Sequence, residues 1–444
     1  MTHGSLADKM LLLALPLMAT SILQQLFNAA DIAVVGRFAG AQAMAAVGSN
    51  SSVINLILGL FIGLSVGANV VIANLIGAGH RNRINEAIHT VIAVSFIAGL
   101  IAMTVGLFAA KPILTMMGAP TEVMNSAILY LRIYCLAMPF ILLYNFASAI
   151  LRSKGDSRRP LIALALSGII NILLNLLLVI VFHLHVIGVA TATVVSNIIG
   201  SCLVLWFLMT EEETFRFSFQ KLRIRKEYLF SMIRIGLPAG LQGMVFSLSN
   251  VVIQTTVNSF GANAIAGSTA GQNMEFISYC VINSFGQTTV TFTSQNYGYG
   301  DIERTKKVFR LSLLIGLGLD AIVVLLFMLF RVPILHIFTT DEDVMVFALI
   351  RATRVCSVHF LIGTYEISGG ALRGMNHSLL PALISIFGTC AFRLFWVFAV
   401  VSRHHTFETL MLVYPVSWIL TGIAMMTAYL TIRKKAFAAL EKRG

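Results

Sequence analysis

Charged side chains are scarce: Asp, Glu, Lys and Arg make up 11% of the 444 residues, while 57% are hydrophobic. An ordinary soluble domain carries roughly 25% charged residues, so a water-soluble globule is excluded. Cysteine is rare too. Cys135, Cys202, Cys280, Cys356 and Cys390 all lie in apolar runs, with no CxxC pair, which argues against a disulfide framework or a cysteine metal site. No Walker A loop and no HExxH pattern occurs, so neither ATP bound by this chain nor a zincin site is expected. The net charge of +12 would suggest nucleic acid in a soluble protein. Here the basic residues sit mostly in short loops between apolar runs, where they set membrane orientation. The apolar run that follows Lys9 continues to about Val35, much longer than the core of a signal peptide, and is expected to stay as a membrane span.

A helix needs about 20 apolar residues to cross the hydrocarbon. Such runs fall roughly at 10–35, 50–77, 88–110, 126–150, 160–182 and 187–209, and again at 232–258, 265–297, 308–330, 346–370, 381–401 and 408–431. This predicts an all-α polytopic membrane protein of about twelve spans: a six-helix lobe over 1–210, a basic linker over 211–231, a second six-helix lobe over 232–431 and a tail over 432–444. Lys9, Arg81, Arg83, Arg152, Lys154, Arg158, Arg159, the 216–234 cluster, Arg304 to Arg310, Arg373 and the tail share one side. Arg37, Lys111, Arg331 and Arg403 lie on the other, with Arg132, Arg351 and Arg354 near outer span ends. The positive-inside rule then places both termini and the linker in the cytoplasm.

The chain matches itself at a shift of 221 residues: Gly40 meets Gly261, Gly79 meets Gly300, Pro112 meets Pro333, Cys135 meets Cys356, Tyr144 meets Tyr365, Leu151-Arg152 meets Leu372-Arg373, and Pro160 meets Pro381. Prolines and glycines held in register over such a length mark a duplication. Each half has an even number of spans, so the two lobes are expected to be related by an axis along the membrane normal, around a central cleft. Gly63-Leu64-Ser65-Val66-Gly67 fits the GxSxG nucleophile pattern, but that motif needs a strand-turn-helix setting. Gly59, Gly63 and Gly67, with Cys280, Ser284 and Thr288 at the matching positions, read instead as a helix-packing seam. A transporter is expected, not an enzyme.

Four acids lie at membrane depth, Asp31, Glu275, Asp320 and Glu366, each costing about 2.5–3.5 kcal/mol at a helix centre. Gln24, Phe27, Asn28 and Asp31 recur at helical spacing on the first span, so this face should line a cavity. Pro16 in the same span and Pro238 in its repeat counterpart each remove a backbone hydrogen bond and permit a kink. Asn171 and Asn175, four apart in the fifth span, project from one face; they serve either as interhelical glue or as cation and cargo contacts, and Thr193 in the sixth span joins them. Glu275 and Glu366 either contact cargo or pair with Arg393, the basic residue nearest mid-membrane in the eleventh span. Asp320, amid Gly and Leu, reads as structural.

The pattern Pro16...Gln24...Asp31-x4-Gly36, the turn Ala43-Met44-Ala45-Ala46-Val47-Gly48, Leu151-Arg152-Ser153-Lys154-Gly155-Asp156, and Ala371-Leu372-Arg373-Gly374 resemble the multidrug and toxic compound extrusion (MATE) family, in particular its bacterial DinF-type branch. The resemblance implies twelve helices in two lobes and export of organic, often cationic or amphipathic, compounds by alternating access in exchange for H+ or Na+. It also implies a bacterial inner membrane location, a monomer, no cofactor and no nucleic-acid partner. By position, Asp31 matches the proton or sodium site of the first lobe, and Asn171, Asn175 and Thr193 match the polar cluster facing it. Some relatives have Asp where Asn175 stands. Phe246 and Ile362 stand near the positions of second-lobe acids in sodium-binding members. The competing reading within the same superfamily is a lipid-linked precursor flippase, whose cleft would carry several basic residues; Arg393 is the one clear mid-membrane candidate.

Overall fold

The computed structural model describes residues 1–116 and 122–442. Its described secondary structure is helical throughout. Among the described residues, ten helices are long and apolar enough to cross a membrane: α1 (Leu6–Ala39), α2 (Gln42–Gly77), α3 (Arg81–Thr115), α5 (Arg158–Val181), α6 (His185–Met209), α7 (Lys226–Asn258), α9 (Ile302–Leu329), α10 (Glu342–Gly374), α11 (Leu379–Val401) and α12 (Phe407–Glu441). A bent pair, Met124–Cys135 and Met138–Lys154, meets the same test with a 46° break and forms α4. The remaining expected span is α8 (Ala262–Tyr299), a 38-residue helix. It is long enough to cross, but Gln272, Asn273, Glu275, Asn283, Gln287, Gln295 and Asn296 leave it less apolar than the other eleven. The chain is therefore a multi-pass membrane protein with a helix at each of the twelve expected places.

Two compact units are resolved: Leu15–Gly240, and Met1–Ala14 with Leu241–Gly444. Within the first, α2 and α7 approach backbone to backbone. A Cβ on Gly63 would lie 2.1 Å from the Gly240 nitrogen, and one on Gly67 would lie 2.3 Å from the Met232 oxygen. The seam expected from Gly63 and Gly67 is real, and Gly236 and Gly240 form its other side.

The duplication reappears as matched backbone geometry. Gly40 precedes α2 at φ 88°, ψ 171°, and Gly261 precedes α8 at φ 93°, ψ 178°, a conformation closed to residues with a Cβ. The fourth helix of each half breaks at the same place. In α4 the break separates Cys135 from Met138, where Pro139 begins the next segment without an N–H to continue the ladder. In α10 a 3-10 segment, Cys356–Leu361, interrupts the helix, with Val358 at non-helical φ −120°, ψ 16°. The Leu151–Asp156 motif is a helix-to-helix corner. Gly155 takes the left-handed conformation at φ 105°, and Asp156 accepts from the backbone N–H groups of Arg158 and Arg159, capping α5.

Candidate functional site

In the first unit α1 lies against α5. The ring of Phe27 rests on Gly168, where any Cβ would fall 1.9 Å from a ring carbon. One turn further, the expected polar residues meet. Asn175 Nδ2 donates to Asp31 Oδ1 at 2.5 Å and to Asn171 Oδ1 at 3.2 Å, and Asn171 Nδ2 donates to Ser196 Oγ on α6 at 3.3 Å. Asp31 is half-buried, Asn171 and Asn175 are buried, and Asn175 Oδ1 has no hydrogen-bond partner among the described residues. A carboxylate at the end of a row of amides thus faces one donor and, on the same amide, a spare acceptor. That donor suits the ionised acid; the acceptor suits the protonated one once the amide turns over.

Immediately past these residues both helices change pitch: α1 finishes in a π segment, Val35–Ala39, and α5 in another, Leu177–Val181, and the two segments touch. Such turns gather at functional positions. Tyr130 and Tyr134 on α4 stack with ring centroids 6.1 Å apart.

Thr193 contributes differently from expectation. Its hydroxyl donates back to the Val189 oxygen at 3.0 Å, and it is its carbonyl that accepts from Ser196 Oγ and Asn197 Nδ2. Ser196, three residues on, is the α6 residue that reaches the amide row. Gln24 and Asn28 share the Asp31 flank of α1 but are exposed, with no hydrogen bond found from either among the described residues. Pro16 and Pro238 both lie inside continuous helices; hydroxyls bond back to carbonyls near the first, Thr20 to Pro16 and Ser21 to Leu17.

The second unit corrects the expected pairing. Glu275 does not pair with Arg393; it is held by Arg351, whose Nε and Nη2 bond its two oxygens at 2.6 and 2.9 Å, while Nη1 donates to Ser268 at 2.6 Å. Arg351 comes from α10 five residues before Cys356, where the break begins, and reaches α8 as a buried fork. Arg393 is buried without a carboxylate partner among the described residues. Its guanidinium lies 4.7 Å from the Tyr414 ring centroid and 5.2 Å from that of Phe246, and donates to Asn250 at 3.1 Å. Aromatic faces, not an acid, hold that charge. Glu366 is half-buried and faces Gly286 of α8. No hydrogen bond or ion pair to it is found among the described residues.

Comparison with known proteins follows this geometry. The MatE family model matches residues 16–177 and 238–398, one match in each half of the duplication. The chain is 29% identical over 386 residues to the probable multidrug resistance protein YoeA of Bacillus subtilis, covering 85% of this chain and 83% of that protein. It is 28% identical over 389 residues to the probable multidrug resistance protein NorM of Thermotoga maritima, covering 86% and 83%. Its fold superposes on the outward-facing conformation of a multidrug resistance MATE family transporter with TM-score 0.89 at 23% identity, over 99% of this chain and 97% of that one. With one family match in each half, the chain belongs to the MatE family of membrane transporters.

Proposed function

We propose that the chain exports organic, often cationic or amphipathic, compounds by alternating access, in exchange for H+ or Na+. It does so as a monomer in the bacterial inner membrane, with both termini in the cytoplasm. The observation that carries this reading is the hydrogen-bonded row Asp31–Asn175–Asn171–Ser196 beside two π segments. A proton or sodium ion arriving from outside neutralises Asp31. The Asn175 amide, which donates to the ionised acid, is then better placed as an acceptor. That change loosens α1 from α5 and biases the lobe toward one of two states. The membrane potential supplies about 2.3 kcal/mol per charge for each 100 mV crossed. In the second half, Glu366 has no hydrogen-bond or ion-pair partner among the described residues and is the candidate contact for cationic cargo.

Ethidium transport into inverted membrane vesicles, energised separately by a pH gradient and a sodium gradient, tests this. Asp31→Asn is expected to reduce gradient-driven uptake to the passive leak at unchanged expression and gel-filtration behaviour. Wild-type uptake rates from that mutant refute the assignment, and the gradient that drives the native protein names the ion.

A further inference from the structure

Three helices of the second unit bring a second titratable cluster together, one that includes neither Glu275 nor Glu366. Asp320 of α9 and His359, at the break in α10, are almost wholly buried, as is Ser278 of α8. Ser278 Oγ lies 2.5 Å from Asp320 Oδ1 and 2.8 Å from His359 Nδ1, and His359 Nδ1 lies 3.5 Å from Asp320 Oδ2. Among the described residues Asp320 Oδ2 has no hydrogen-bond partner, and neither does the indole N–H of Trp418, whose ring stands edge-on to His359 with centroids 5.5 Å apart. On α9 itself Asp320 sits amid Gly and Leu, with no polar neighbour at helical spacing. Its partners come from other helices, not from its own.

The duplication sharpens the point. At the 221-residue shift, Ser278, Asp320 and His359 replace Ile57, Gly99 and Met138. In the first half Gly99 packs against the Met138–Pro139 backbone at the α4 break; in the second half the three matching positions carry a hydroxyl, an acid and an imidazole that hydrogen-bond to one another. Packing alone needs no such exchange.

We propose that Asp320, Ser278 and His359 form a second proton-binding site, holding one exchangeable proton at the α10 break. The chemistry allows two arrangements of the same proton. With Asp320 ionised, Ser278 donates to it and an imidazolium Nδ1–H donates to Ser278. With Asp320 protonated, its O–H donates to Ser278 and Ser278 donates to a neutral His359. Both are net neutral. Removing the proton leaves a lone carboxylate in a low-dielectric interior with one donor, an arrangement that burial penalises, so loss of the proton favours rearrangement of the segment Cys356–Leu361 that carries His359. The neighbouring charges do not supply a substitute. On α8, Glu275 lies one turn before Ser278 and is neutralised by Arg351 of α10; Cys356 of α10 touches Glu275; Tyr279 and Cys280 follow Ser278 on α8. Tyr414 of α12 is occupied by Arg351 and Arg393, and between Arg310 and Arg331 Asp320 is the one titratable residue α9 has.

The part of this site in transport rests on the exporter reading, but its proton can be counted without cargo. Titration of the full-length protein in detergent is read by the infrared C=O band of protonated carboxylic acids and by 15N resonances of labelled histidine. Wild type is expected to release one proton more than Asp320→Asn. His359→Gln should place the proton on the acid, strengthening a carboxyl band that the further change Asp320→Asn removes. Ser278→Ala, which keeps both titrating groups, should retain the step at a shifted midpoint. Superimposable titrations of wild type and Asp320→Asn overturn the proposal. If Asp320→Asn does not fold, a carboxyl band indifferent to His359→Gln, with a His359 ring that never changes state, overturns it equally. Failure of Asp31→Asn to abolish transport would sink the exporter mechanism and leave this count untouched.

Discussion

At the scale of single residues, the cost of an acid in oil was legible in the sequence and its partner was not. Glu275 stood out because nothing near it along α8 could neutralise it, yet Arg351 lies 76 positions away on a helix whose break and true start, at Glu342, periodicity does not reveal. Read as a run beginning near 346, α10 put Arg351 at an outer end; its helix begins a turn earlier, and Arg351 is buried against α8. Removing one partner of such a buried fork costs about 3–5 kcal/mol, whereas replacing both with apolar groups of similar volume is often near neutral. Arg351→Ala is therefore expected to lower the thermal midpoint in detergent far more than the double change Glu275→Gln with Arg351→Met. Equal losses would mean that the pair carries no net coupling. The Asp31 row was more readable, because Asn171 and Asn175 share a helix and needed only the face that period 3.6 assigns them; Ser196, a common residue in a membrane helix, carried no signal.

At the scale of elements, the repeated glycines announced their job, since Gly40 and Gly261 have the same φ above zero and Gly63 and Gly67 have no room for a Cβ. What the sequence hid was the other side of that seam, because Gly236 and Gly240 flank Pro238 and read as part of a kink. Gly63→Ala drives a Cβ into the backbone of α7, and overpacking of this kind costs about 1–3 kcal/mol; reduced yield of folded protein on fluorescence-detected gel filtration checks it, and native behaviour would show that α2 can shift. A second element-level device lies just past α6. Glu211 receives Lys154 Nζ at 2.7 Å and also Arg159, tying the ends of α4 and α5 to the start of the linker. Burial alone would push its carboxyl up, but the hydrogen bonds and charges of Lys154 and Arg159 outweigh burial and hold it below the usual carboxylate value. A depressed native value means stability that is present above the unfolded carboxylate's range and lost as pH falls through the folded one. Glu211→Gln should accordingly lower the thermal midpoint at neutral pH and bring mutant and wild type together in acid; a difference that persists unchanged in acid points to packing instead.

At the scale of the whole molecule, twelve helices and a duplication could be counted from apolar runs and matched glycines, because both depend on local composition. The polar character of α8 could also be read, but not its cause: Glu275, Ser268 and Ser278 answer groups on α9 and α10 that only the folded chain brings near, while Asn273 and Asn296 bond carbonyls of α8 itself. Orientation remains a matter of charge. Cysteines introduced at Thr2 and in the loop at Thr340, in a background with the native thiols replaced, should be labelled by an impermeant maleimide from the cytoplasmic and the outer side respectively, and the reverse pattern would invert the topology. The π segments that close α1 and α5 have a further consequence. Each winds one residue more into a turn than its helix otherwise uses, and straightening it would swivel whatever follows by about 100°. Both lie at the very tips, ending at Ala39 and Val181, so little hangs beyond them to be dragged around. Rewinding there spins a loop rather than a lobe, which leaves Asp31 and Asn175 beside the cheapest gearing in the first half of the chain.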